Sequence, residues 1–252
     1  MKPNPLISII TVVYNSEKYL EKTILSIAEQ NSPITEYIII DGGSKDNTIN
    51  IVQKHKQHIQ KNISEPDNGL YDAMNKGLEM ASGEYVWFIN SGDKIYDTST
   101  VESIAQIAER ENFPDVIYGE TVIIDENEQE IGPRRLKTPE TLNWKSLIDG
   151  LVVCHQSFIV KRSIAPKYNL KYKIAADYDW VLKCLKNSKN VYNSKLILSR
   201  YLDNGFSKNN IPKALSERFV IMTKNFGFLK TTLNHILIGW RFFRFLIRNK
   251  RF

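Results

Sequence analysis

Three short runs of almost uninterrupted apolar residues constrain this chain more than anything else in it. They are "LISIITVVY" (6–14), "EYIIID" (36–41) and "GEYVWFIN" (83–90). None alternates apolar with polar residues, as a strand with one wet face does. Each is short and rich in β-branched and aromatic residues. Such runs suit strands buried on both faces, as in a parallel sheet covered by helices. The segments between them read as those helices. Tyr19, Leu20, Thr23, Ile24 and Ile27 recur at helical spacing, with Asn15 and Ser16 as candidate caps. "TINIVQKHKQ" follows the turn "GGSKDNT", and "LYDAMNKGLEMA" (70–81) places Ala73, Met74, Leu78 and Ala81 on one face. A short strand in "NISEPDNG", a helix near 98–112 and a strand "DVIYGE" complete the alternation. The expected class is α/β, a Rossmann-like and mostly parallel sheet flanked by helices.

After about residue 120 the pattern loosens. "TVIIDENEQEIG" reads as a hairpin, "CHQSFIVKRSI" as a strand entering a short helix, and "AADYDWVLKCLKN" as a helix. From Pro212 the chain reads as helical to its end. This divides it into a main domain, 1–210, and a C-terminal helical appendage, 211–252.

Charge separates the same two parts. The net charge is +6, yet eight Lys or Arg and no acid lie from Arg218 onward, so the body is slightly acidic. A nucleic-acid binder would carry positive charge on its main fold, so no nucleic-acid partner is expected. In "HILIGWRFFRFLIRNKRF" (235–252), Arg241, Arg244, Arg248 and Arg251 fall on one helical stripe and apolar residues fill most of the rest. That pattern suits a helix lying in an anionic membrane surface. The alternative is a helix docked on the body or on a second subunit. No run of about 20 apolar residues suggests a spanning helix. Cys154 and Cys184 show no metal or framework spacing and read as free thiols of a reducing compartment. The expected location is cytoplasmic, peripheral on the inner face of the cell membrane.

In open parallel sheets ligands bind beyond the carboxyl ends of the strands. The polar residues there are Thr11, Tyr14 and Asn15, then Asp41, then Glu65 and Asp67, then Asn90, Ser91 and Asp93. Asp, Asn, Ser and Gly also make ordinary turns, so each taken singly has that simpler explanation. Asp93 either ends a strand or holds a cation. Asp177 either caps the helix it opens or does chemistry. His155 and Trp180 taken singly read as core residues. "YLDNGFS" (201–207) is a turn, or a loop hinged at Gly205 over the site.

The segments "ISIITVVYNSEKYLEKTILSI", "EYIIIDGGSKDNT", "EPDNGLYDAMNKGLEMASGEYVWFINSGD" and "AADYDW" together resemble the family 2 glycosyltransferases, which have a GT-A fold. The resemblance spans roughly residues 5–205 and is nearest to the branch that builds bacterial surface polysaccharides such as capsule, O-antigen or colanic acid. It implies inverting sugar transfer from a UDP-linked nucleotide-sugar to a glycan or lipid-linked acceptor, with Mg²⁺ or Mn²⁺. It places Thr11 and Tyr14 at the nucleobase, counts Asn15 among the nucleotide- and donor-binding residues, and gives Asp41 a hydrogen bond from the base. Gly43 allows close backbone approach. Asp67, Gly69, Asn75, Asn90 and Ser91 fall on the donor side. Asp93 holds the metal as the last residue of a "DxD" motif that here reads Ser91-Gly92-Asp93. Asp177 is the general base of a pair whose first member here is Ala176. His155, Gln156 and Trp180 are acceptor or sugar contacts. Where relatives have a basic residue before the asparagine, this chain has Met74, with Lys76 just beyond.

Two other readings compete. A nucleotidyltransferase also uses a parallel sheet and metal-binding carboxylates, but "TVVYNSEKY" lacks a Gly-rich basic loop. A catalytically impaired nucleotide-sugar-binding protein at the membrane would explain the missing carboxylate at residue 91 and Ala176.

Overall fold

The computed structural model describes residues 5–30, 35–203 and 211–249, with backbone alone for Ile211, Ile238 and 241–249. The three apolar runs become β1 (Ile7–Val13), β2 (Thr35–Asp41) and β4 (Tyr85–Phe88), and β3 is Lys61–Ser64. Helices α1 (Leu20–Ala28), α2 (Thr48–Lys54) and α3 (Leu70–Met80) connect them. Then follow β5 (Lys94–Ile95), α4 (Thr100–Arg110), β6 (Val116–Ile124), β7 (Glu130–Pro133) and β8 (Phe158–Lys161). The chain closes with α5 (Ala176–Asn187), β9 (Val191–Leu202), α6 (Ile211–Phe226) and α7 (Phe228–Asn249).

The sheet order is β3-β2-β1-β4-β8-β6-β9-β5, with β7 added to β6. The β3-β2-β1-β4 half is wholly parallel, as its apolar runs demand. Beyond it the sheet is mixed. β8 enters antiparallel between β4 and β6, which the alternation of the first half would have made neighbours. β9 runs parallel to β6, and the expected hairpin forms between β6 and β7. Both faces are covered. Ile10, Val12, Ile38 and Ile40 meet Met74 of α3, with Trp180 of α5 and Met222 of α6 in the same cluster. Ile9, Val13, Tyr37 and Ile39 share a second cluster with α1, α2 and α4 through Ile24, Val52 and Ile104. Burying each such aliphatic side chain contributes about 1.5–3 kcal/mol. Gly77 lets α3 lie directly on β1, since a Cβ there would sit 2.5 Å from Ile10 Cγ2.

The boundary expected at residue 211 runs through a shared core. Ile221 and Met222 of α6 are fully buried with β1 and α5, and Phe226 stacks on Trp144 at 5.7 Å. Gly227, at φ +86°, separates the two helices. α7 is tied down by Asn234 Nδ2, which donates to Ile148 O, and by His235 against Phe219. Its Leu233, Ile236 and Leu237 remain exposed. Among the described residues no helix is long and apolar enough to cross a membrane. The side chains of Arg241, Arg244 and Arg248 lie outside the described residues, as do Arg251 and the Gly205 loop.

Candidate active site

The loops at the carboxyl ends of β1, β2 and β3 are knotted by one carboxylate. Asp41 is buried and accepts from Gly43 N at 3.1 Å, Ser64 Oγ at 2.6 Å, Ser44 N at 3.1 Å and Ser44 Oγ. Four donors fill the roughly four lone-pair sites of a carboxylate. The hydrogen bond expected from a base therefore has no free position on Asp41, which fixes the turn instead. Asn15, at φ +46°, braces the same turn. Its N–H donates to Ser44 Oγ and its Oδ1 accepts from Lys45 N, both at 2.8 Å, rather than capping α1. Tyr14 stands beside it with its residue 63% exposed.

Asp67 packs its carboxylate into the space a side chain at Gly42 would need, 2.3 Å from an added Cβ, and accepts from Gly69 N at 2.8 Å. Gly43 at φ +83° and Gly69 at φ +109° take backbone conformations that side chains disfavour. Lys76 pairs with Glu65 at 2.8 Å and donates to Pro66 O at 3.1 Å.

Two residues expected on the donor side face elsewhere. Thr11 lies mid-strand and fully buried, its hydroxyl donating to Ile89 O at 2.7 Å and accepting from Tyr37 Oη. Asn75 clasps the main chain of Tyr168, donating to its O at 3.1 Å and accepting from its N at 2.7 Å. Both polar side chains satisfy backbone groups inside the fold.

Beyond β4 the chain turns through "NSGD". Asp93 N donates to Asn90 O at 2.9 Å, and Gly92 adopts φ +97°. Ser91 Oγ and Ser16 Oγ share a hydrogen bond of 2.6 Å. Asp93 is only 4% exposed. Its Oδ2 accepts from Gln156 Nε2 at 2.7 Å, its Oδ1 from Leu202 N at 3.0 Å, and its main-chain O from Thr23 Oγ1 at 2.8 Å. Burial raises its pKa to about 7, and the bonds from Leu202 and Gln156 offset that only in part. Asn90 Oδ1 is buried with no hydrogen-bond partner among the described residues. A buried carboxylate and an unpaired amide oxygen on one turn are hard donors, the chemistry that suits Mg²⁺ or Mn²⁺ when substrate supplies the other ligands. No cluster of three His, Cys, Asp or Glu occurs among the described residues.

Asp177 occupies the second position of α5, not its cap, which is Ala175. It is half-buried; its Oδ1 accepts from Tyr178 N at 2.8 Å and from Tyr71 Oη at 3.4 Å. The turn leading into α5 is held by a residue that sequence reasoning missed. Glu217 of α6 accepts from the N–H groups of Lys173, Ile174 and Ala175, each at 2.9 Å. No local periodicity points to such a partner some forty residues away.

The phenol of Tyr201, on β9, is pushed up by burial and then by the charges of Asp93, Cys154, Asp177 and Asp203. Gln156, which donates to Asp93, in turn accepts from Cys154 Sγ through its Oε1 at 3.0 Å. His155 and Trp180 are core residues rather than sugar contacts. His155 is buried against Phe88, Tyr168 and Trp180, and Nε2 meets Tyr168 Oη at 2.7 Å. Burial lowers its pKa to about 4 against the opposing charge of Asp177, so it is neutral near pH 7. Trp180 stacks on Tyr168 at 4.9 Å and donates to Pro166 O at 2.7 Å. Cys154 and Cys184 are free and buried, as expected.

The comparisons with known proteins agree with this geometry. The family model "Glycosyl transferase family 2" matches residues 8–168. A PGL/p-HBAD biosynthesis glycosyltransferase of Mycobacterium bovis is 27% identical over 229 residues, covering 87% of this chain and 86% of that protein. The fold is similar to S. aureus TarS residues 1–349 in complex with UDP, with a TM-score of 0.70 at 21% identity, covering 96% of this chain and 73% of that one. It is also similar to the mannosyltransferase PcManGT of Pyrobaculum calidifontis in complex with GDP-Man and Mn²⁺, with a TM-score of 0.66 at 14% identity, covering 94% and 72%. The match to the family model and the glycosyltransferase relatives show that the chain belongs to glycosyl transferase family 2 and is a glycosyltransferase.

Proposed function

We propose that this enzyme transfers a sugar from a UDP-linked donor, with inversion, to a glycan or lipid-linked acceptor in the assembly of a bacterial surface polysaccharide. The observation that carries the reading is the buried Asp93 carboxylate beside the Asn90 Oδ1 that has no partner among the described residues, on the turn after β4 at the carboxyl end of the parallel half-sheet. Inverting transfer needs a base on one side of the anomeric carbon and charge stabilisation of the leaving group on the other. Asp177, half-buried and beside Tyr71, takes the acceptor hydroxyl proton as that oxygen bonds to the anomeric carbon. The bond from that carbon to the donor phosphate breaks, and the nucleoside diphosphate leaves with the electron pair. Asp93, with Asn90 beside it, would hold Mg²⁺ or Mn²⁺, which supplies Lewis-acid stabilisation of the leaving diphosphate. Gln156 and the N–H of Leu202 orient Asp93. The exposed ring of Tyr14 offers a face to the nucleobase.

The structures of TarS with UDP and of PcManGT with GDP-Man and Mn²⁺ support a nucleotide-sugar donor and a divalent cation. The exposed apolar residues of α7, with positive charge from Arg241, Arg244, Arg248 and Arg251, support a peripheral position on the inner face of the cell membrane.

Asp177→Asn tests the assignment. Turnover should fall by about 10²–10⁴-fold, the usual worth of a general base. UDP affinity by titration calorimetry should stay within about twofold, since the base does not hold the nucleotide. Near-normal turnover in this variant would place the base elsewhere.

A further inference from the structure

The two oxygens of Asp177 are not equivalent. Oδ1 accepts from Tyr178 N at 2.8 Å and from Tyr71 Oη at 3.4 Å, while Oδ2 has no hydrogen-bond partner among the described residues. An oxygen that already takes two donors is a poorer proton acceptor than one that takes none. The second donor comes from another element. Tyr71 is the second residue of α3, which starts directly after Gly69. It is buried, and its ring stacks on Tyr168 at 5.6 Å with 24° between the planes. Tyr168 is itself clasped by Asn75 of the same helix and stacked on Trp180 of α5.

The Tyr71 hydroxyl has one hydrogen and two acceptors, Ile174 O at 2.8 Å and Asp177 Oδ1 at 3.4 Å. The carbonyl is set by the backbone, because Glu217 takes the N–H of the same residue at 2.9 Å. The carboxylate is the softer partner, since the last torsion of an Asp side chain turns easily. One bond from Tyr178 N leaves that turn open; a second donor at the same oxygen closes it. Such bonds are commonly long in a free enzyme and tighten with substrate in place. Burial, then the charge of Asp177, push the Tyr71 pKa well above the usual phenol value, so the group stays a donor. We propose that Tyr71 is a positioning residue for sugar transfer: its hydroxyl and the Tyr178 N–H hold Oδ1 of Asp177, which leaves Oδ2 as the atom that takes the acceptor's proton. As that proton moves to Oδ2, the acceptor oxygen bonds to the anomeric carbon and the diphosphate leaves with the electron pair. Tyr71 keeps its own proton throughout. This inference deepens the reading of Asp177 as the base and rests on it.

The test compares the full chain with Tyr71→Phe, Asp177→Asn and the two together. Phenylalanine keeps the ring on Tyr168 and removes only the hydroxyl. The first readout needs no substrate. The side-chain carboxyl of Asp177, labelled with ¹³C and assigned by its loss in Asp177→Asn, is titrated by NMR. Removing a donor from the ionised form favours the neutral acid, so the midpoint in Tyr71→Phe should rise by about 0.5–1 pH unit. The other groups that feel this carboxylate, His155, Tyr168 and Tyr201, are the same in both proteins. The second readout is UDP release from UDP-GlcNAc with Mn²⁺, water serving as acceptor. Tyr71→Phe should lower kcat by about threefold to thirtyfold and leave KM within about twofold. In the Asp177→Asn background the same substitution should change kcat by less than about twofold, because the two residues act as one unit. An unchanged midpoint in Tyr71→Phe overturns the inference. So does an equal loss of kcat in both backgrounds, which marks Tyr71 as support for Ile174 alone. Either result with Asp177→Asn still impaired leaves the base reading standing. Near-normal UDP release by Asp177→Asn removes the base reading and this inference together.

Discussion

Glu217→Gln isolates the contact that joins α6 to the turn before α5. The carboxylate takes three backbone N–H groups, from Lys173, Ile174 and Ala175, each at 2.9 Å. A hydrogen bond to a charged group is worth about 1.5–3 kcal/mol and a neutral one about 0.5–1.5 kcal/mol. Glutamine keeps one acceptor oxygen but turns an NH₂ toward donors, so charge assistance is lost and one N–H is left unpaired. Allowing for partial solvent access, the net loss is about 2–3 kcal/mol. In a chain of this size that lowers the melting temperature by roughly 4–12 °C. Burial alone would raise the Glu217 pKa, but the three N–H bonds, with the charge of Lys213, hold it below its ordinary 4.5. Its contribution is therefore complete above about pH 4.5 and is lost as pH falls through the lower folded value. Thermal unfolding of both proteins between pH 3 and 7 should show a gap that closes at the acid end. A melting temperature within about 1 °C of wild type at pH 7, or a gap independent of pH, would refute the reasoning.

Asn75→Ala separates a structural clasp from a nucleotide contact. Losing both bonds to Tyr168 should destabilise by about 2–4 kcal/mol in denaturant titration, while UDP affinity in the folded variant stays within about twofold. A larger loss of UDP affinity would return Asn75 to the donor side. On α7, replacing the exposed Leu233, Ile236 and Leu237 together by Gln should abolish sedimentation with anionic vesicles and leave the melting temperature nearly unchanged. Undiminished sedimentation would count against a lipid-facing role for that face.

The parallel half of the fold was legible because residues such as Ile9, Ile10, Ile39 and Ile40 are apolar on both sides of a strand. The place of β8 was not, since "FIVK" reads the same whether it pairs parallel or antiparallel. At the site, position along a strand was readable but direction was not. Thr11 sits three residues before Tyr14, yet its hydroxyl turns to Tyr37 inside the sheet. Trp180 and His155 resemble sugar contacts in sequence, and only the packing of Phe88, Tyr168 and Trp180 around His155 shows a closed aromatic core. Glu217 escaped notice because its partners lie far off in the chain.

The anchoring of Asp93 has a consequence for how this enzyme comes into being. Its main-chain and side-chain oxygens are held from Thr23, Gln156 and Leu202, at separations of 70, 63 and 109 residues. Closing loops of that length must precede the contacts that reward them. A nascent chain that has emerged only as far as β7 can assemble β3-β2-β1-β4 but lacks two of the three tethers. Asp93 then has neither the Gln156 nor the Leu202 donor. The side-chain anchors of Asp93 are therefore complete only with the last strand of the sheet, and an incomplete product displays the loops after β1, β2 and β3 with the Asp93 side chain untethered.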